Sequence, residues 1–400
     1  MSDLKQKLHL LRQQRPVPDS GVSQQASVSS RLQRLTETST ATGHARSVSD
    51  DGIAGLLDGI VLAPGVVLIE KTIALPTTHG DTELPLSIDV SAIVDVEDDV
   101  SYVFMDTETS GLAGGTGTVA FMLGLCRMRG GELTVRQYFL TGFSGEAVML
   151  QHAADWLCED DVLVTFNGKS FDATLLATRY RLNRIDDPFA GLFHIDLLHL
   201  TRRAFSRRWP DCRLATAENR LLGFYRHHDL PGSEAPAVWY ECIHWGVTQR
   251  VSAVVEHNYW DLVSLAALLS MLNSVYGNPA THEADTLAVA RYYSLRGDDW
   301  LAYRLLEENM LNLETDGLLE LASLSRRRGQ WQQALEIWTR LATRGCQQSR
   351  ECLAKFYEHR QRNYNEALAM TDSLIAQDRH NPQHQTRRNR LLRKLQRVGL

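Results

Sequence analysis

The chain has 400 residues, enough for two or three domains and a proper core. Its hydrophobic fraction of 44% and charged fraction of 22% are ordinary for a soluble globular protein. A net charge of −6 excludes attraction to nucleic acid by the overall field, so any such contact must come from local basic patches. The six cysteines lie far apart with no Cys-x-x-Cys pair, which argues against a zinc site and for reduced core thiols. No apolar run reaches about 18 residues, and the N-terminus lacks a signal-peptide core, so a cytoplasmic protein without membrane contact is expected.

Residues 4–15 read as a short basic helix, with Lys5, Lys7, Arg12 and Arg15 around Leu4, Leu8, Leu10 and Leu11. From Pro16 to Asp51 the chain is rich in Ser, Thr and Gln with few large apolar residues, so residues 1–51 are expected to form a disordered arm. Residues 52–98 alternate short apolar stretches with Gly, Pro and Asp. Val66 to Ile73 reads as a strand and Glu83 to Asp89 as a poorer one, giving a small β-containing extension with no chemistry of its own.

The next segment, 99–276, is organised around Ser101-Tyr-Val-Phe-Met-Asp-Thr-Glu-Thr-Ser-Gly-Leu112. Tyr102 to Met105 is an apolar run suited to a strand buried on both faces. It ends in Asp106 and Glu108, which an extended strand points to the same face. Two such carboxylates raise one another's pKa unless a cation lies between them, and oxygen ligation suits Mg²⁺ or Mn²⁺. A pair of strands, 119–126 and 133–140, flanks Arg129-Gly-Gly131 as a hairpin. A helix over 147–157 and a strand over 162–166 follow. Asn167-Gly168 breaks that strand, and Ser170 is expected to cap a helix carrying Asp172 and running to Leu182. Phe193 to Ile195 reads as a short strand, Leu197 to Ala204 as a helix, and Val251 to Leu272 as a long helix with His257 and Asp261 on one face.

Asp106-x-Glu-Thr-x-Gly-Leu, Asn167-Gly-x-x-Phe-Asp172 and His257-Asn-x-x-Asp261 together resemble the DEDD exonucleases of the ribonuclease H-like superfamily. The glycine run after the first motif and the His-Asn-x-x-Asp ending are similar to the YprB-like bacterial branch. The resemblance spans roughly residues 99 to 275 and implies an α/β core, a mixed sheet flanked by helices. It also implies two divalent ions, Mg²⁺ or Mn²⁺, with Asp106, Glu108 and Asp261 on the first. Asp106 would bridge to the second, which Asp172 would hold through water. His257 is the expected base: it has the four-residue spacing of the family's Tyr type and the imidazole of its His type. Tyr259 points to the far side of the helix from Asp261 and is discounted.

Asp196 reads either as an outer acid of the site or as a helix cap. Gly114, Gly115 and Thr116 offer a backbone that nucleic acid can approach closely, or a plain flexible turn. Asn167 and Lys169 lie beside the second motif, where Lys169 could contact a phosphate. Arg202 and Arg203 lead a basic stretch with Arg207, Arg208, Phe205 and Trp209, which could hold a single strand by charge and stacking or simply be a solvated helix face.

After Asn278 the composition turns helical. Trp331 with Ala334-Leu335 and Tyr364 with Ala367-Leu368 repeat a pattern, and Trp300 with Ala302 is a looser copy. The spacing resembles tetratricopeptide-type hairpins, which implies all-α repeats over 280–400 and a surface for a protein partner. The basic tail from Arg387 to Arg397 reads as a nucleic-acid contact or a solvated capping helix. A fragment ending near Asn278 is expected to fold alone. The resulting reading is a two-metal 3′–5′ exonuclease acting on single-stranded RNA or DNA. A scaffold or nucleic-acid-binding protein without turnover and a structure-specific endonuclease are the alternatives.

Overall fold

The computed structural model describes residues 48–95, 100–111 and 117–398. The basic helix expected over 4–15, the arm up to residue 47, and Gly114, Gly115 and Thr116 lie outside the described residues. Asp50 and Asp51, expected as part of the arm, instead open a helix. Helix α1 (Asp50–Leu57) starts at Asp50, capped by Ser49, whose side chain accepts from Gly52 N, and buries Ile53, Ala54 and Leu57.

Seven strands form one mixed sheet in the order β1-β2-β7-β6-β5-β8-β9. They are β1 (Ile60–Ala63), β2 (Val66–Ala74), β5 (Tyr102–Thr109), β6 (Ala120–Arg129), β7 (Glu132–Leu140), β8 (Val162–Thr165) and β9 (Phe193–Asp196). Short β3 (Thr77–His79) and β4 (Thr82–Leu84) pair separately. The segment read as an extension thus supplies two strands of the main sheet, β2 lying antiparallel on β7 along its whole length. β6 and β7 form the expected hairpin, turning at Gly130 and Gly131. β5 is antiparallel to β6 and parallel to β8, so the two halves of the sheet meet at the strand that carries the acids.

Alternation along β5 divides the core. Tyr102 and Phe104 enter one apolar cluster, while Val103 and Met105 enter the other. The second cluster is completed by α1, α2 (Glu146–Ala154), α3 (Asp172–Asn183) and, after α4 (Leu197–Phe205) and the short α5 (Leu214–Ala217), by α6 (Ala235–Trp245). Helix α7 (Val251–Gly277) has 27 residues. Its Val251 and Val254 belong to the second cluster and Leu262 to Tyr276 to the first, so α7 passes from one face of the sheet to the other beside the end of β5.

Seven helices follow: α8 (Thr286–Leu295), α9 (Asp299–Glu308), α10 (Thr315–Arg327), α11 (Trp331–Thr343), α12 (Gln347–Phe356), α13 (Tyr364–Gln377) and α14 (Pro382–Val398). Ala302, Ala334 and Ala367, the small residues of the repeated pattern, are all fully buried where consecutive helices pack. Gly297 and Gly329 take left-handed backbone just before α9 and α11, and Arg362 takes the same conformation before α13 although it is not glycine.

Helices α8 to α12 share the first core cluster with the sheet. Arg296 Nη1 donates to Ile93 O at 2.8 Å, Tyr292 donates to the same carbonyl, and Tyr293 donates to Tyr276 O at 3.0 Å. No gap in packing marks residue 278.

Candidate metal centre

Asp106 and Glu108 stand on one face of β5, as the period of a strand requires. Asp106 is half-buried at the register position opposite Gly124 of β6, and Glu108 is buried. Helix α7 brings Asp261 and His257 to the same place from one turn of helix. Glu108, His257 and Asp261 each offer a ligand atom, all within 4.8 Å of one another. His257 Nε2 lies 3.9 Å from Glu108 Oε1 and 3.5 Å from Asp261 Oδ2. Asp172, in the first turn of α3, accepts from the Thr107 hydroxyl, which projects from the opposite face of β5.

The electrostatics agree with the geometry. Burial, then the charges of Asp261, Asp172 and Glu108, hold the Asp106 carboxyl well above the usual carboxylate range. Burial, then Asp261, Asp172 and Asp229, push Glu108 up to about 8. Asp172 is raised chiefly by burial. Carboxylates this close resist ionising together unless a cation enters. Oxygen donors with one imidazole suit a hard divalent ion, so the residues present fit the expected metal.

Three supports were not singled out from the sequence. Asn258, fully buried, donates Nδ2 to Asp106 Oδ2 at 2.7 Å, and its Oδ1 accepts from Gln137 Nε2 at 2.9 Å. Gly124 makes room for that amide: a Cβ there would sit 2.3 Å from Asn258 Oδ1. Asp229 Oδ1 lies 2.7 Å from His257 Nδ1. Arg226 Nη1 stands 3.3 Å from the same nitrogen. The shorter contact, however, is to a carboxylate, which only accepts. It is satisfied when Nδ1 carries the hydrogen, leaving the lone pair of a neutral ring on Nε2, towards Glu108 and Asp261. Arg226 bonds Asp261 and Glu218 and lies 3.3 Å from Asp229. The motif His-Asn-x-x-Asp contained the signal for Asn258. Arg226 and Asp229 lie in a stretch between the π-helical turn Glu218–Leu222 and α6 that has no periodicity to reveal them.

Asp196 resolves as a cap and a clamp. Its Oδ1 accepts from Leu198 N at 3.1 Å at the start of α4, and from Asn167 N at 2.8 Å, while Oδ2 accepts from Lys169 N at 3.2 Å. Asn167 sits in left-handed backbone, φ 71°, and Lys169 is exposed. Ser170 does not cap α3; the N-cap position is Phe171, without a side-chain bond. Arg202 is exposed, but the Arg203 guanidinium lies 4.6 Å above the Tyr292 ring. Phe205 is fully buried and stacked on Trp209, so it presents no face to a base. Tyr259 is covered by Lys71, 4.5 Å from its ring centroid, and takes no part in the cluster. Among the described residues, no helix is long and apolar enough to cross a membrane.

The RNase H superfamily model matches residues 103–273. Among solved structures, the chain is similar to E. coli Exonuclease I in complex with a dT13 oligonucleotide, at 14% identity and TM-score 0.29, over 46% of this chain and 43% of that one. It is also similar to the family B DNA polymerase of Pyrobaculum calidifontis, at 12% identity and TM-score 0.34, over 67% of this chain and 34% of that one. The chain spans less than half the length of either, and likeness at this level is too low to carry a function across. The uncharacterized protein YprB of Bacillus subtilis (strain 168) is 30% identical over 287 residues, covering 68% of each chain. The chain belongs to the YprB family and carries an RNase H superfamily domain.

Proposed function

We propose that the protein is a divalent-metal-dependent nuclease that removes nucleotides from the 3′ end of single-stranded RNA or DNA. The observation that carries this reading is the cluster of Glu108, His257 and Asp261 at the end of one central strand, with Asp106 near enough to feel the charges of Asp261, Asp172 and Glu108. Asp106, Glu108 and Asp261 would hold one Mg²⁺ or Mn²⁺ and Asp172 would share a second with Asp106. When bound, such ions neutralise charge on the attacking and leaving oxygens of a phosphodiester.

The remaining work falls to the side chains. Asn258 and Gln137 hold Asp106 in one rotamer, and Thr107 does the same for Asp172. Asp229 fixes the His257 tautomer, so Nε2 can take the proton of the attacking water. Lys169, exposed on the loop that Asp196 clamps, would meet a backbone phosphate. The direction of attack is tested with single strands carrying a free or a blocked 3′ end. A ladder from the free end that disappears on blocking supports the exonuclease. Internal cuts in the blocked strand would make the protein an endonuclease instead.

A further inference from the structure

Arg226 is the one cation pressed directly onto the carboxylates of the cluster among the described residues. Its side chain is 9% exposed. Nε and Nη2 form a two-pronged pair with Glu218, Nε reaching Oε2 at 3.0 Å and Nη2 reaching Oε1 at 2.5 Å. Nη2 also bonds Asp261 Oδ1, and Nη1 is 3.3 Å from both Asp229 Oδ2 and His257 Nδ1. Glu218 is itself fully buried. Its Oε1 accepts from Ser264 Oγ at 2.5 Å, and Ser264 Oγ lies 2.7 Å from His79 Nε2 on the β3–β4 hairpin. A continuous buried line therefore runs from the hairpin to a ligand candidate: His79, Ser264, Glu218, Arg226, Asp261.

The two oxygens of Asp261 face different partners. Oδ1 is taken by the guanidinium, while Oδ2 faces His257 Nε2 at 3.5 Å on the side of Glu108. A carboxylate with both oxygens free can close on a divalent ion with either or both. We propose that Arg226 is a positioning residue that leaves Asp261 only Oδ2 for a divalent cation, trading metal affinity for a fixed ligand geometry. This rests on the reading of Asp261 as a metal ligand. The planar fork held by Glu218 sets the direction of the guanidinium, which a lysine ammonium cannot reproduce. The charge of Arg226 also repels an incoming cation.

These two effects separate in two variants. Arg226→Gln removes the charge and frees Oδ1, so Mn²⁺ should bind about tenfold more tightly while turnover falls by about tenfold or more. Arg226→Lys keeps the charge and loses the fork, so Mn²⁺ affinity should stay within about threefold of wild type while turnover falls. Mn²⁺ affinity is read from the electron paramagnetic resonance signal of free Mn²⁺, without any assay of turnover, and folding from circular dichroism. A residue that merely held the fold together would weaken Mn²⁺ binding in both variants, and that result would overturn the proposal. So would wild-type affinity and wild-type turnover in either. If Arg226→Gln does not fold, Arg226→Lys decides alone. Asp106→Asn in the same titration separates the two claims. Wild-type Mn²⁺ binding and turnover there would bring down the metal site itself. Their loss there, with Arg226 variants behaving as wild type, would bring down only the positioning role.

Discussion

Asp229 Oδ1 and His257 Nδ1 meet at 2.7 Å, joining an aperiodic loop to the first third of α7. The contact gives the imidazole one tautomer and aims Nε2 at the acids of β5 and α7. In the proposed reaction this arrangement would prepare the histidine to accept a proton.

His257→Ala should therefore lower turnover by roughly 10²–10⁴-fold with Mn²⁺ affinity little changed. Asp229→Asn should also lower turnover, because its amide can donate to Nδ1 and so move the ring hydrogen to Nε2. Steady-state rates and Mn²⁺ titrations check both. A parallel loss of affinity and rate in His257→Ala would make the imidazole a metal ligand and not the base.

Gly124 offers a test that touches no ionisable group. In Gly124→Ala the new methyl must displace Asn258, whose amide holds Asp106. Overpacking of this kind costs about 1–3 kcal/mol, and Asp106 loses its fixed rotamer. Chemical denaturation and turnover should both fall; a variant unchanged in both would mean that the Asn258 contact is dispensable.

The raised carboxyls make metal-free stability depend on pH in a defined direction. Asp106, Glu108 and Asp172 bind protons more tightly folded than unfolded, chiefly because the surrounding protein desolvates them and then because neighbouring carboxylates repel their charge. Their contribution is fully present below the unfolded range of about 4 and is lost as pH rises through the folded values, about 8 for Glu108. In EDTA, wild-type Tm should fall between about pH 5 and pH 8.5 more steeply than that of Asp106→Asn. Parallel Tm curves would contradict the crowding of these acids.

Removal of the last seven helices should not leave an intact core. A fragment ending at residue 278 uncovers Leu269, Leu272 and Tyr276, fully buried in the cluster shared with α8 to α11, and leaves Ile93 O without its Tyr292 and Arg296 donors. The fragment should aggregate or melt well below the full chain. Equal melting temperatures would restore the independence of the first 278 residues that the composition shift suggested.

What the sequence revealed depended on apolar runs and on motifs. The unbroken apolar runs before Asp106 and Asn167 announced β5 and β8, and the long apolar pattern through Asp261 announced α7, while the four acids were singled out by the motifs in which they stand. Arg226, Asp229 and Glu218 occupy a π-helical turn and an aperiodic stretch, where no spacing announces which side chains turn inward. The basic run around Phe205 left two readings open, a stacking platform or a solvated helix face; the apolar face of α4 carries Phe205 into the core, so that ring belongs to no platform. The bonds from Tyr292 and Arg296 to Ile93 join segments 199 and 203 residues apart, which no local pattern encodes.

The central claim is most directly tested by incubating end-labelled single-stranded RNA and DNA with wild type and Asp106→Asn, in Mn²⁺, in Mg²⁺ and in EDTA. A shortening ladder with wild type in at least one metal, none in EDTA, and none with a folded Asp106→Asn is the predicted result. Cleavage that persists in EDTA, or a ladder from Asp106→Asn at the wild-type rate, would contradict it.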